Sequence, residues 1–178
     1  MTRIVEIWPV REWAVLETHA ARLALCDESI TSVKKPSDFV VLTEAEFILE
    51  TDGIIFSFLE ELRRTVAKAS CSLAVQKLFT KVFIKPLRNG FRDLNFPRGV
   101  VEEWDELDST MNPQTVSALH QMSLELDLEE LRMFYDEARD EAVTKDEAFD
   151  YFLETARSWQ HLLQESAAKE LGLLVASW

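Results

Sequence analysis

The most regular hydrophobic pattern lies near the C-terminal end of the chain. Between residues 144 and 172 apolar positions return every three or four residues, the spacing of one helical face. Thr144 and Glu147 form a capping box that predicts the helix start, and Gly172 predicts its end. The apolar run after Gly172 favours a short buried strand. The buried face of this helix is predicted to comprise Phe149, Phe152, Leu153, Ala156, Trp159, Leu163 and Ala167.

The first seventy residues predict strands alternating with helices. Residues 3–8 are β-branched and aromatic, which favours a strand, and Pro9 is placed to begin a helix that runs to about Cys26. A polar loop follows at 27–38, and a second short strand is predicted at 39–42. Thr43 and Glu46 form another capping box, so we expect a helix to begin there, break near 51–53, and resume over 54–68.

The middle of the chain carries clear helix signals. Ser72 is predicted to cap a helix that runs to about residue 85, and residues 87–99 are predicted to form the longest loop. A short helix centred on Trp104 is expected over residues 100–107. Asn112 followed by Pro113 is typical of a helix start, and that helix is expected to end near residue 124. Asp127 is predicted to cap the next helix, which buries residues 128, 131, 133, 134 and 138.

These elements predict a mainly α fold, with α+β character at the margin. We expect about seven helices packed as one domain over residues 1–178, with two or three short strands near the N- and C-termini. The arrangement we consider pairs the first strand with the C-terminal run. Residues 1–8 lack a long apolar core, and no run of about 18 apolar residues occurs, so we expect a cytoplasmic protein.

The charge is distributed very unevenly along the chain. Residues 1–100 carry 14 basic and 13 acidic residues, whereas residues 101–154 carry three basic and 17 acidic residues. The second segment therefore accounts for the whole net charge of −13. Such a field repels nucleic acid and membranes and attracts basic proteins, although acidic surfaces also serve solubility alone. Both interpretations stay open from the sequence.

One basic feature opposes this acidic segment. It steps by three or four residues along a predicted helix and its following loop, and it comprises Lys77, Lys81, Lys85, Arg88 and Arg92. A stripe of this kind contacts phosphates in some proteins. It also suits a solvated face or an internal partner for the acidic half, and that interpretation is favoured because the stripe lacks interleaved aromatic residues.

Residue types that support catalysis elsewhere are scattered here. His19, His120 and His161 lie on three different predicted helices, and we expect them to be ordinary surface or partly buried residues. Cys26 and Cys71 lie in apolar helical patterns, which predicts reduced core residues. Neither arrangement implies a cofactor.

The acidic segment also contains a candidate metal motif. Glu102, Glu103 and Glu106 form EExxE, and Glu137 with Asp140 forms ExxD. Together they resemble the magnesium-binding signature of the all-α MazG-type nucleotide pyrophosphohydrolases. The resemblance implies a Mg²⁺ site formed by Glu103, Glu106, Glu137 and Asp140. About thirty residues separate the two halves, which is more than that family normally has, and the separating segment contains a predicted helix.

Residues 115–175 carry a second resemblance. The segments LDLEELR at 126–132, FDYFL at 149–153 and GLLV at 172–175 are similar to the C-terminal part of the YfbM-like family, small bacterial proteins of unknown function. The resemblance implies an α+β domain whose last helix leads into a terminal strand, and it implies no catalytic residues.

The function that the sequence favours is binding of a basic partner protein, without catalysis. The partner would be neutralised in the manner of an immunity protein, an antitoxin or a DNA mimic, with carboxylates in place of phosphates. A MazG-like pyrophosphohydrolase and an oligomer-forming subunit, such as a homodimer built on the long helix, are the alternatives. The predicted partner-binding residues are Glu102, Glu103, Glu106, Glu129, Glu130, Asp136, Glu137, Asp140 and Glu141.

Overall fold

The structure is a computed structural model that describes residues 3–41, 47–51, 63–64, 73–87, 90–138 and 146–177. It is mainly α-helical with some strands, as expected. In chain order the elements are β1 (Arg3–Val10), α1 (Trp13–Ala24), a 3-10 helix (Pro36–Phe39), β2 (Phe47–Thr51), α2 (Leu73–Phe79, continued by a π turn at Thr80–Ile84 and a last α turn at Lys85–Leu87), α3 (Glu102–Asp105), β3 (Leu107–Met111), α4 (Pro113–Leu124), α5 (Leu128–Ala138), α6 (Asp146–Ala168) and β4 (Gly172–Ser177). The described part thus contains six α-helices with defined bounds, and residues 63–64 are helical as well, where the sequence predicts about seven helices.

A four-stranded antiparallel sheet in the order β2-β1-β4-β3 separates two helical layers. Alternate strand residues point to opposite faces. One face, with Ile7 and Val175, packs against buried residues of α2, α4, α5 and α6. The other face, with Val10 and Leu174, packs against α1, α3 and the segment around Leu94. The expected pairing of the first strand with the C-terminal run is present, with Ile7 opposite Val175.

The start of α1 differs from the prediction. Pro9 does not open a helix but lies inside β1, opposite Leu173 of β4. On its other side β1 pairs with β2 only from Arg3 to Ile7, so the missing amide of Pro9 falls where no ladder bond to β2 is needed. The Pro9 carbonyl accepts a hydrogen bond from the amide of Val41 at 2.8 Å.

Residues 36–51 correct two further predictions. The strand expected at 39–42 is replaced by the 3-10 helix and by an isolated bridge between Val10 and Val40. The helix expected from residue 43 is replaced, over Phe47–Thr51, by β2. The capping residues Thr43 and Glu46 lie outside the described residues, as do Ser72 and Thr144. Of the helix predicted at 54–68 only residues 63–64 are described, and they are helical.

Two helices, α1 and α6, end at a non-glycine residue in the left-handed region. Glu170 has φ 53°, its amide bonds to the Ala167 carbonyl, and the Leu171 amide bonds to the Ser166 carbonyl, which together form a Schellman motif. The prediction that Gly172 terminates α6 is therefore wrong, and Gly172 instead begins β4. Cys26, with φ 51°, ends α1 in the same way, and it is exposed instead of lying in the core. Cys71 lies outside the described residues.

Gly172 is required by close packing. A Cβ atom at this position would overlap Cε3 of Trp13 and lie 2.8 Å from its Cζ3. It would also lie 2.9 Å from the carbonyl oxygen of Met111. The ring of Trp13, which is buried at the start of α1, thus lies directly on the backbone of β4.

The π turn in α2 has a local cause. Pro86 has no amide to donate to the carbonyl of Val82, four residues earlier, so the regular hydrogen-bond pattern is broken there. The Val82 carbonyl instead accepts a buried hydrogen bond of 2.8 Å from Nε1 of Trp159. This bond joins α2 to α6 through the core.

The 27–39 segment is held to α1 by a histidine. Nε2 of His19 accepts a hydrogen bond of 3.1 Å from the Lys34 amide, and Nε1 of Trp104 donates to the Lys34 carbonyl at 3.1 Å. The imidazole lies 5.7 Å from the ring of Phe39 and 6.5 Å from that of Trp104. Burial first, and then the positive charge of Lys34, lower the pKa of His19 from its ordinary value.

Candidate functional site

The outer surface of α5 is the strongest candidate for a functional site. Leu131 and Tyr135 point into the core and are fully buried. Residues on the opposite side of the helix, three, four or seven positions apart, share one exposed face. We call this the α5 outer face, and it consists of Glu129, Glu130, Met133, Asp136 and Glu137. The asparagine cap predicted for the preceding helix and the aspartate cap predicted for α5 are both present, with Asp127 Oδ1 accepting from the amides of Glu129 and Glu130.

Met133 gives this face an apolar centre. The sequence predicts Met133 in the buried stripe of this helix, and methionine is usually buried. This prediction is wrong: Met133 is 72% exposed, because it lies on the side of α5 opposite Leu131 and Tyr135. Carboxylates lie one helical turn before it and one turn after it along the same face. An exposed apolar side chain within a ring of like charges is a different arrangement from a uniformly solvated acidic surface.

Two arginines neutralise part of this charge. Nη1 of Arg132 lies 2.6 Å from Oδ1 of Asp150 on α6, and its Nε lies 3.8 Å from Oδ2 of Asp136. Nη2 of Arg157 on α6 lies 3.7 Å from Oε1 of Glu129. Within the described ranges Glu130 and Glu137 have no ion-pair partner. On the α5 outer face, these two carboxylates are thus the ones whose charge no described residue neutralises.

The predicted acidic residues on α3 lie in the other helical layer. Glu102 is exposed, whereas Glu103 is 15% exposed, lies 3.7 Å from Nζ of Lys35, and accepts a hydrogen bond from the Ser37 amide. Burial, followed by the charges of Glu102 and Glu103, raises the pKa of Glu106. Glu103 thus holds the 3-10 helix, and none of these three carboxylates joins the α5 outer face. Asp140 and Glu141 lie outside the described residues.

The carboxylates of the metal motif are likewise divided. Glu103 and Glu106 belong to the α3 layer and Glu137 to the α5 layer, with the sheet between them. Asp140 lies outside the described residues. Over the part of the chain that the structure describes, no three histidine, cysteine or acidic side chains are grouped so that they could hold a metal ion.

The basic stripe is partly formed. Lys77, Lys81 and Lys85 are exposed on α2 and have no ion-pair partner among the described residues. Arg92 does not continue the stripe, because its Nη1 donates to the Leu107 carbonyl at 3.0 Å and its guanidinium lies 5.4 Å from the ring of Phe96. Arg88 lies outside the described residues.

The apolar face predicted for the long helix is buried inside the molecule. Phe149, Phe152, Ala156, Trp159 and Leu163 are all buried, so this face is not available for contact with a second copy. Three of the aromatic contacts in the core place Phe152 edge-on to its neighbours, at 5.5 to 6.1 Å between ring centres.

Two further features emerge only from the folded chain. His120 and His161, which the sequence placed on separate helices, line one cavity of about 370 Å³ between α4 and α6. A broader open cavity of about 730 Å³ lies where α1 and α4 begin, and its rim mixes Arg11 with Glu12, Glu17 and Glu170. With one arginine against three glutamates, the rim of that cavity carries a net negative charge.

Comparison with protein-family models, with curated proteins and with solved structures finds no significant match to this chain. The comparisons neither support nor refute the resemblance of residues 115–175 to the YfbM-like family, which stays a prediction. Among the residues that the structure describes, no helix combines the length and the apolar character needed to cross a lipid bilayer.

Proposed function

We propose that the protein acts without catalysis in the cytoplasm, and that its α5 outer face binds a basic segment of another protein. The observation that carries this proposal is the exposed side chain of Met133 between two pairs of carboxylates. Protein interfaces concentrate binding energy in a few central side chains surrounded by polar rims, and methionine is enriched in them.

The charges of the face support a cationic partner. Glu130 and Glu137 lack an internal ion pair in the described part of the chain, and the segment from 101 to 154 supplies the net negative charge. A field of one sign speeds the approach of an oppositely charged surface and suppresses wrong partners. Met133 would then supply the desolvated contact that charge alone does not provide.

The spacing defines the partner further. The pairs Glu129–Glu130 and Asp136–Glu137 are seven residues apart, which corresponds to about 10 Å along a helix axis. A complementary segment carries lysine or arginine at both ends of a similar span and an apolar side chain between them. Cationic surfaces that bind nucleic acid have such groups, so an inhibitor of a nucleic-acid-binding protein, such as an immunity protein or antitoxin, is the class we favour.

The test compares three baits in affinity capture from the native cell lysate. The baits are the wild type, the double variant Glu130→Lys/Glu137→Lys, and a matched control, Glu17→Lys/Glu28→Lys, whose exposed carboxylates lie on and just after α1. A basic protein should be retained by the wild type and the control and lost with the α5 variant. The captured protein is then purified and its Kd for each bait is measured by calorimetry at low and high salt.

The expected magnitudes follow from the charges. Reversing two exposed carboxylates should weaken binding by roughly tenfold or more, on the order of 1 kcal/mol for each charge. Affinity should also fall with salt, because exposed charges are screened over about 10 Å at 0.1 M ionic strength. Met133→Ser should raise the Kd without changing its salt dependence. Salt-independent binding, or equal losses in the α5 and control variants, would refute the proposal.

A further inference from the structure

The cavity between α4 and α6 has an unusual lining for the acidic half of the chain. Two imidazoles, one guanidinium and two side-chain amides face it, beside two leucines, and no carboxylate belongs to its lining. Its volume of about 370 Å³ suits a small molecule rather than a peptide. The polar lining residues are His120, Ser123, Arg157, Gln160, His161 and Gln164.

The walls of the cavity are held in place by hydrogen bonds. Nε2 of Gln160 on α6 donates to the Ser123 carbonyl of α4 at 3.0 Å. Oγ of Ser123, which is fully buried, donates to the His120 carbonyl at 2.7 Å. Binding sites on packed helices keep their geometry better than sites on loops. These two bonds therefore hold α4 and α6 together at the cavity.

One of the imidazoles has unused hydrogen-bonding capacity. Nδ1 of His120 is buried and has no hydrogen-bond partner within the described ranges. Buried polar atoms are nearly always paired in folded proteins, so each exception calls for an explanation. This imidazole therefore lies at the cavity with one ring nitrogen that no described residue pairs with.

The positive charge at the cavity is only loosely neutralised. Nη2 of Arg157 lies 3.7 Å from Oε1 of Glu129, and both side chains are about two-thirds exposed, with 65% and 69% of their surface accessible. An ion pair of that length and exposure contributes little. Glu165 lies near His161, but it is already paired with Lys169 at 2.8 Å. Glu129 can thus be displaced by a ligand that satisfies the guanidinium better.

We infer that this cavity binds a small ligand through a phosphate group, with Arg157 providing the charge and His120, His161 and Gln164 providing N–H donors. A phosphate presents several acceptor oxygens in different directions, which suits a cavity whose donors come from two helices. The planar guanidinium pairs with phosphate through two parallel hydrogen bonds. The room left in the cavity accommodates the organic part of a phosphate monoester.

The test is an NMR titration of the full-length protein at constant ionic strength. The probes are inorganic phosphate, glycerol phosphate as a simple monoester, and acetate as a carboxylate. The imidazole resonances of His120 and His161 should shift saturably with both phosphate probes, more tightly with the monoester, and hardly at all with acetate. Matching circular dichroism melts establish that each variant is folded.

Three variants test which residues bind the phosphate group. Arg157→Gln should weaken phosphate binding at least tenfold. Glu129→Gln should strengthen it severalfold, because the competing carboxylate is removed. Arg22→Gln is the matched control, since Arg22 is an exposed arginine paired with Asp27 on the opposite side of the sheet, and it should leave binding unchanged.

Several results would each overturn the inference. These are absence of saturable shifts with both phosphate probes, a response to acetate equal to that for phosphate, no loss in Arg157→Gln, and no gain in Glu129→Gln. An equal loss in Arg22→Gln would also overturn it, because the effect would then reflect net charge and not this cavity.

Discussion

The contact between Gly172 and Trp13 gives a stability prediction that can be worked out from the structure. A methyl group at position 172 enters space that the indole already fills, and it also approaches the Met111 carbonyl at 2.9 Å. Overpacking of this kind costs about 1–3 kcal/mol. Alanine recovers about 0.5–1 kcal/mol relative to glycine because the unfolded chain has less freedom. We therefore expect Gly172→Ala to destabilise the fold by about 1–2 kcal/mol.

A substitution of Trp13 separates the cost of the clash with the indole ring from the cost of the contact with the Met111 carbonyl. Trp13→Leu removes most of the ring and should cost roughly 2 kcal/mol or more, as large-to-small core changes do. In the double variant the added methyl group occupies part of the vacated space. Its cost should then be less than the sum of the single costs by about 1 kcal/mol, since contacting residues couple by 0.5–3 kcal/mol.

The assay is urea unfolding followed by tryptophan fluorescence and circular dichroism for the wild type and the three variants. With slopes of about 1–3 kcal/mol per molar urea, a change of 1–2 kcal/mol moves the midpoint by a readily measured amount. The slope should stay constant across the four proteins. Strict additivity of the two substitutions, or a Gly172→Ala variant as stable as the wild type, would refute the packing argument.

Three further predictions concern stability. His19 should make stability depend on pH. The pKa of His19 is lower in the fold than the ordinary 6.5, so the unfolded chain binds more protons between those two values. The contribution of His19 to the free energy of unfolding is therefore complete above about pH 6.5. It is lost as the pH falls through the pKa of the folded state. Trp159→Phe should cost about 1–3 kcal/mol beyond the loss of ring area, because the buried Val82 carbonyl loses its donor, and chemical denaturation measures it. Glu170→Gly should raise the thermal midpoint by relieving a left-handed residue that costs roughly 1 kcal/mol, and an unchanged midpoint would contradict this.

The control for the pH prediction is His19→Gln. Other groups titrate in the same range, so the quantity to follow is the difference in unfolding free energy between the wild type and this variant at each pH. The stability advantage of the wild type over the variant should shrink as the pH drops, because a protonated imidazole cannot accept a hydrogen bond from the Lys34 amide. A difference that is constant from neutral to mildly acidic pH would show that the hydrogen bond is not coupled to folding.

The elements that were predicted well carry their own boundary signals. Asn112 and Pro113 define the start of α4 through local hydrogen bonding, and the Asn112 side chain accepts from the Thr115 amide at 2.8 Å. The strand at the N-terminus and the run after Gly172 are rich in β-branched or apolar residues, and both are strands. Signals of this kind act within a few residues, so a single sequence contains them in full.

The elements that were missed depend on contacts between distant residues. Phe47–Thr51 follows a capping box and contains good helix formers, yet it pairs with β1 as a strand. Leu107–Met111 contains Asp108, Ser109 and Thr110 and has no clear alternation, and its place in the sheet is set by β4. Local preference is weak enough for tertiary pairing to override it.

The candidate site was predicted in part. The acidic character of α5 follows from the sequence, but the separation of Glu103 and Glu106 from Glu137 by the sheet does not. The sequence likewise gave no reason to bring His120 and His161 together, since they are 41 positions apart and carry no shared motif.

The outer edge of β3 is covered by the chain itself. The Thr110 amide donates to the Phe91 carbonyl, the Asp93 amide donates to the Thr110 carbonyl, and the Leu94 amide donates to Thr110 Oγ1. An open strand edge would leave these groups available to pair with a strand of another molecule, which leads to aggregation. Because that edge is occupied, a strand of another molecule cannot pair with β3 even at high protein concentration. The exposed methionine on α5 is therefore not accompanied by an open strand edge on the β3 side.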